Sequence, residues 1–400
     1  MLFVVVLPAT LRIYGVPKQN SGMNRTPPSV LLLTVSSPKV RFLTLTTLFV
    51  IGSCGPPSLG PDVDSLLSDP TFTFGVMADS VYSEAQFPVF TFGVMGDLPY
   101  WAKSEAQFPS LVDSINAHDP DFVVHVGDIM SSKVPCTDSL FLNRFEALKS
   151  IDPPLVFVPG DNEWTDCHGG PSGVNDPLER LDALRTLFYP VPGRSLGGET
   201  IPLETQASDP DWAEFVEHQR WQKNGVLFAT IHAIGSLNGL KWFEGRTSLH
   251  DQEVDRRIAA ATVWLHSSFE KARAEEASAV VIVTHANLWY VPEDPPRSGF
   301  EEIIDALVAE SKAFANPVLL VHGDTHTFRV DQPMTDSEGV ILNNVVRLET
   351  YGGGNVGWIE VTVDLEEGPL VFSFTPDPPL FCGTPIASAM SSFVRCRPPV

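Results

Sequence analysis

The stretch Val89-Phe90-Thr91-Phe92-Gly93-Val94-Met95-Gly96-Asp97 is an apolar run that stops at a carboxylate. Short apolar runs bounded in this way read as buried strands. The same pattern returns in residues 122–126 ahead of Asp128, 155–158 ahead of Asp161, 279–283 ahead of His285, and 318–321 ahead of Asp324 and His326. In an open α/β sheet the loops that follow such strands gather at one edge. Six metal-competent side chains are therefore expected to converge. Four carboxylates and two imidazoles are the hard and borderline ligands that a pair of divalent cations wants, whereas one cation could hardly use them all. Without cations, that many buried carboxylates would repel one another.

Between and after these runs the spacing predicts helices over 105–116, 140–148, 178–188, 254–274 and 300–314, and a strand meander over 340–348, 356–363 and 370–374. Parallel β-α units followed by a meander point to an α/β protein. With 400 residues, 43% of them hydrophobic, the chain is long enough for one large domain with a deep core. The strand-and-carboxylate series runs unbroken through the region that a second domain would occupy, so one domain is expected.

Charge is divided unevenly. Residues 1–54 carry Arg12, Lys18, Arg25, Lys39 and Arg41 and no acid, so the remainder is more acidic than the formal net charge of −23. Such a surface repels nucleic acid and anionic headgroups, and no basic stripe offsets it. Lys39 and Arg41 precede an apolar stretch that ends in Ile51-Gly52-Ser53-Cys54, the layout of a secretory signal. The cysteine after small residues resembles a bacterial lipoprotein signal with Cys54 lipidated. The stretch is too short to span a bilayer, which needs ~20 residues. These features predict export to the cell envelope or beyond, with membrane contact only through a lipid anchor. An exported chain favours disulfides. Cys136 and Cys167 follow Asp128 and Asp161 closely on neighbouring loops, where a bond would clamp both; Cys382 and Cys396 would staple a Pro-rich tail. The segment Phe72-Thr73-Phe74-Gly75-Val76-Met77-Ala78-Asp79 duplicates the first strand. Only one copy can enter the sheet; the second has Gly before Asp and runs into a helical stretch, so Asp97 is preferred over Asp79.

Gly96-Asp97, Gly127-Asp128, Gly160-Asp161-Asn162-Glu163, Thr284-His285 and Gly323-Asp324-Thr325-His326 resemble, in order and spacing, the five motifs of the calcineurin-like metallophosphoesterases. The tracts at 159–168 and 321–328 resemble a secreted bacterial branch of that family. The resemblance implies a four-layer αββα sandwich of mixed sheets flanked by helices, covering about 89–375. It is preceded by a signal region at 1–54 and a linker at 55–88, and followed by a tail at 376–400. It also implies a phosphomonoesterase or phosphodiesterase acting on a small phosphate ester through water activated by two divalent ions (Mn, Fe or Zn). Carried over residue by residue, one metal pocket holds Asp128, Asp161, His285 and Asp324, and the other Asp97, Asp128 and His326, with Asp128 bridging.

Departures from the family pattern are as informative. Pro99, Asn162 and Asp324 stand where the family has histidines, and Asp161 where it has asparagine. The second pocket is one ligand short; Tyr100, Ser131, His168 or water would complete it. Asn162 cannot shuttle a proton, although its amide can hydrogen-bond a phosphate oxygen. His168 is the nearest replacement acid, or a surface histidine beside the disulfide. Trp164, Trp289 and Tyr290 follow motif residues and either wall a substrate pocket or pack the sheet edge. His125 and His322 read as hydrogen-bonded core histidines. The alternatives to a hydrolase are a catalytically weak metal-binding lipoprotein acting as a scaffold, and a calcium-stabilised structural protein.

Overall fold

The computed structural model describes residues 88–291, 298–366 and 371–378 in full, with the backbone strands Thr10–Tyr14, Val30–Ser36, Leu48–Phe49, Phe381–Cys382 and Val394–Arg397. Cys54 and Asp79 lie outside the described residues. The chain divides into units 1–84 and 85–400. In the first, the three backbone strands pair antiparallel.

The second unit is built on two mixed sheets. Strand β1 (Phe90–Met95) pairs parallel with β2 (Val123–His125), and β2 with β3 (Leu155–Phe157). On the other side of β1 lie β11 (Trp358–Val363) and then β12 (Phe372–Asp377), both antiparallel. The larger sheet has nine strands. Its centre is β6 (Val226–Thr230), β7 (Ala279–Val283), β8 (Val318–His322) and β10 (Val345–Glu349), all parallel neighbours. Antiparallel additions are β4 (Glu204–Thr205) and β5 (Gln219–Lys223) at one edge. At the other lie β9 (Arg329–Asp331) and the backbone strands β13 (Phe381–Cys382) and β14 (Val394–Arg397). Cys382 faces Cys396 in that last register, and their side chains lie outside the described residues.

Period-two alternation in strands buried on both faces explains the layering. Phe90, Phe92 and Val94 of β1 meet Ala279, Val281 and Val283 of β7 in a core between the sheets. Val280 and Ile282 of β7 point the other way, against α4 (Ser248–Ala274) and α5 (Glu301–Phe314). The outer face of the five-stranded sheet is covered by α1 (Ala102–His118), α2 (Asp138–Lys149) and α3 (Pro177–Phe188). In α1, Phe108, Leu111, Val112 and Ile115 recur at helical spacing and are the buried stripe. The result is the expected four-layer αββα sandwich. The helices start at polar caps: Thr137 Oγ1 accepts from Leu140 N, and Asp176 Oδ1 from Leu178 N. Among the described residues no helix is long and apolar enough to cross a membrane.

The expected meander is corrected. Strand β10 lies parallel to β8 in the large sheet, whereas β11 and β12 belong to the small one. Alternating apolar residues say that these segments are strands and leave open which sheet they join. The link between β10 and β11 carries the chain from one sheet to the other, and Gly353 N donates to Asp97 O on the way at 2.8 Å.

Candidate metal centre

All six candidate ligands follow strands that run parallel within their sheet: Asp97 after β1, Asp128 after β2, Asp161 after β3, His285 after β7, Asp324 and His326 after β8. The two sheets face each other, so these loops meet across the inter-sheet core. The bridging contacts are explicit. His285 Nδ1 donates to Val126 O of the other sheet at 2.6 Å, and Asp324 N donates to Asp97 Oδ1 at 3.2 Å.

Two groups of three result. Asp97, Asp128 and His285 place one ligand atom each within 4.8 Å of one another, and so do Asp161, His285 and Asp324. His285 stands in both. Because its Nδ1 proton is engaged with Val126 O, Nε2 is the ring atom that faces the carboxylates, 3.1 Å from Asp161 Oδ1 and 3.5 Å from Asp128 Oδ1. One nitrogen lone pair cannot serve two cations, so any shared ligand must be a carboxylate. His326 joins neither group of three; its Nε2 is 3.2 Å from Asp97 Oδ1 and its ring stands edge-on to Tyr100.

The backbone is held in an unusual shape here. Asp97, Asp128, Asp324 and His326 have φ of +54°, +56°, +75° and +54°. Left-handed conformations in non-glycine residues cost free energy and persist where surrounding structure over-determines them. Gly127 has φ +89° and passes against the backbone of Gly160, while a Cβ at Gly160 would run into the Asp128 carboxylate. These close approaches explain why glycine precedes each aspartate.

Charge in the nest is poorly balanced by protein alone. Burial pushes the Asp324 carboxyl up to about 7 and holds Asp128 well above the usual range. Burial would lower the His285 pKa, but Asp128, Asp161 and Asp324 carry it well above normal. Burial would raise Asp161 as well, yet its hydrogen bond from His285 and that ring's charge keep it low. Such a site stabilises added positive charge. Oxygen and imidazole donors grouped in this way fit divalent cations.

Glu163 closes the tract Gly160-Asp161-Asn162-Glu163. It is fully buried, and its Oε1 accepts from Gly160 N at 2.5 Å and Asp128 N at 3.2 Å, tying two ligand loops together. Ser236 belongs to a region that the strand-and-helix spacing left unread. Its hydroxyl donates between Asp161 Oδ2 at 2.9 Å and Asp166 Oδ1 at 2.8 Å. Nothing local in the sequence marks Ser236, because its role arises only when the loop after β6 folds over Asp161.

Other expected residues are distributed as follows. The Asn162 amide is engaged inside the cluster, with Nδ2 at 2.5 Å from Asp128 Oδ2 and 2.9 Å from the Tyr100 hydroxyl. Burial first, and then the Asp128 charge, raise the Tyr100 pKa, so this hydroxyl keeps its proton. Ser131 Oγ accepts from Lys133 N in its own loop at 3.2 Å. His168 Nδ1 sits 2.7 Å from Thr165 O and its ring stacks on Phe243 at 4.4 Å. Trp164 is corrected as a pocket wall: it is 2% exposed and packs on His232 and Arg257. Trp289 and Tyr290 line a cavity of about 440 Å³ beside Asp324. Cys136 and Cys167 are joined by a disulfide with Cα atoms 5.7 Å apart. His125 is a core histidine, its Nε2 2.6 Å from Leu98 O, and so is His322, with Nδ1 2.9 Å from Gly323 O.

Comparison with known proteins follows the same outline. A family model described as calcineurin-like phosphoesterase matches residues 90–328. Among solved structures, one titled "Structure of PhoD" is similar at 11% identity and a TM-score of 0.46, covering 77% of this chain and 68% of that one. The crystal structure of a dimetal phosphatase from Danio rerio is similar at 13% identity and a TM-score of 0.42, covering 72% of this chain and 98% of that one. No curated protein matches the chain.

Proposed function

Because the chain belongs to the calcineurin-like phosphoesterase family, we propose that it hydrolyses small phosphate esters with two divalent cations, Mn, Fe or Zn. The ligands in this reading are Asp97, Asp128, Asp161, His285, Asp324 and His326, with Asp128 shared. The observation that carries it is the pair of ligand groups that overlap at His285 and together bring Asp97, Asp128, Asp161 and Asp324 into one buried nest. When bound, such ions supply charge on a phosphoryl oxygen and a nucleophilic water at neutral pH.

The chain's own residues set the rest. Hydrolysis joins a water oxygen to phosphorus and breaks the bond to the alcohol oxygen, which leaves with a proton. Asn162 orients Asp128 and holds the Tyr100 hydroxyl beside it. No imidazole stands where the family pattern would supply a proton to the alcohol; Asn162 stands there instead, and the Tyr100 hydroxyl beside it keeps its proton. A hydrogen bond from it eases departure without full transfer. Steep dependence on leaving-group basicity is therefore expected, with aryl esters far faster than alkyl esters.

The test is an assay of the purified full chain with an aryl phosphate, an alkyl phosphate and an aryl phosphodiester, with and without added manganese. Manganese-dependent turnover that a chelator abolishes, and that falls steeply toward the alkyl ester, is the expected result. Two bound metals per chain with no turnover of any ester would replace this reading by that of a metal-binding scaffold, which Pro99 and Asn162 favour.

We infer further that the chain is exported, with Cys54 lipidated. Support comes from the charged, apolar and small-residue order ahead of Cys54 and from the Cys136–Cys167 bond, since disulfides persist in oxidising compartments. The native chain should partition with membranes and the Cys54→Ser variant should not. Recovery of an intact cytosolic chain that retains residues 23–53 and has reduced Cys136 and Cys167 would overturn it.

A further inference from the structure

The cavity of about 440 Å³ beside Asp324 has a composition unlike the rest of the chain. Asn287, Trp289, Tyr290, Thr325, Arg329 and Arg347 line it together with Asp324 and Thr327. Two guanidinium groups line it, one paired with Asp331 and the other beside Glu349. Asp324 is the one candidate metal ligand on its wall, so the cavity opens off one side of the cluster.

The two arginines are not equivalent. Arg347 is buried and saturated: Nε and Nη2 reach Asp331 at 2.7 and 2.5 Å, Nη1 reaches Asn287 Oδ1 at 3.2 Å, and the group lies over the Trp289 ring at 5.1 Å. It fixes Trp289 and Asn287, and Asn287 N in turn donates to Asp324 at 3.2 Å. Arg329 is different. Its Nη1 is 3.6 Å from Glu349 Oε2, beyond hydrogen-bond length, and its side chain is 27% exposed. The two groups form an ion pair without a hydrogen bond: Glu349 Oε2 is buried and accepts from no donor among the described residues, while its Oε1 accepts from the Thr325 hydroxyl. Among the described residues, Arg329 thus lines the cavity with donors of its planar fork unengaged. Trp289 and the exposed ring of Tyr290 supply flat apolar walls.

Resting on the phosphoesterase reading, we propose that this cavity receives the alcohol portion of the ester and that Arg329 selects alcohols bearing a second anionic group on a planar ring. A carboxylate matches the guanidinium fork, and partial exclusion of water strengthens that pairing. Trp289 and Tyr290 cover the ring while the phosphoryl group lies at the ligand cluster.

The experiment compares 4-carboxyphenyl phosphate with its neutral isostere 4-carbamoylphenyl phosphate, using the manganese-loaded full chain. The ratio of their kcat/KM values should favour the carboxylate about tenfold more in the native chain than in Arg329→Gln. Arg329→Lys should recover part of that preference. The same ratio in native and Arg329→Gln chains would overturn the proposal. So would an equal loss for both esters, which would put the guanidinium on the scissile phosphate instead. If neither ester is hydrolysed, the assay with the aryl phosphodiester decides the phosphoesterase reading, and calorimetric titration of the same chain decides the cavity. Tighter binding of 4-hydroxybenzoate than of 4-hydroxybenzamide, lost in Arg329→Gln, supports the selection; equal binding overturns it.

Discussion

Asp128→Asn is expected to remove manganese-dependent hydrolysis, by on the order of 10³-fold or more, while leaving the fold intact. Several kcal/mol of charge stabilisation depend on the cations, and about 1.4 kcal/mol is a factor of ten in rate. Asp128 is the carboxylate that stands 3.5 Å from His285 Nε2 and accepts from both Asn162 N and Asn162 Nδ2. The asparagine keeps an oxygen for Asn162 N and removes the charge that a shared ligand needs. Elemental analysis should show loss of bound metal, and circular dichroism should match the native chain. Two metals per chain in the variant would remove Asp128 from the shared position.

Acid is expected to withdraw the stability contributed by two buried histidines. His218 is fully buried, and burial pulls its pKa down to about 3. His232 is lowered too, because burial outweighs the hydrogen bond and charge of Glu217. Above about pH 6.5 both rings are neutral in the folded and unfolded chains and contribute no pH dependence. Below it the unfolded chain takes up protons that the folded chain refuses. Stability therefore falls through the window from about 6.5 down to about 3, by about 2 kcal/mol at pH 5 for His218 alone. Glu217 deepens the fall at lower pH. Burial would raise its pKa, but Arg185 and His232 hold it well below the usual range, so its contribution is present above about pH 4.5 and lost as it protonates. Urea unfolding of the native and His218→Asn chains at pH 7, 6 and 5 isolates this contribution, and the difference between them should change by about 2 kcal/mol between pH 7 and pH 5. An unchanged pH slope in that variant would show that His218 takes up its proton while folded.

The strands that carry the ligands were legible because a strand buried on both faces must be apolar throughout. A sheet edge that holds charge must then interrupt the run abruptly, as Gly96-Asp97 and Gly127-Asp128 do. The helices over the outer faces were legible from their spacing, as in the buried stripe of α1. Residues 189–247 were not. Strands β4 and β5 alternate weakly, and the loop after β6 carries Ser236 in a left-handed conformation at φ +52° that no local pattern announces.

What the sequence by itself determined was the identity and order of the candidate ligands, the alternation of strands and helices and the acidic balance of the chain. All follow from local apolar periodicity and from side-chain chemistry at run ends. Tertiary structure alone decided how those ligands group. The meeting of two sheets brings His285 between Asp128 and Asp161, turns Asn162 onto Asp128, stacks His168 on Phe243, and leaves Arg329 lining the cavity beside Asp324. Each of these contacts joins residues far apart in the chain, and pairing at that range is set by packing of whole layers rather than by any neighbouring residue.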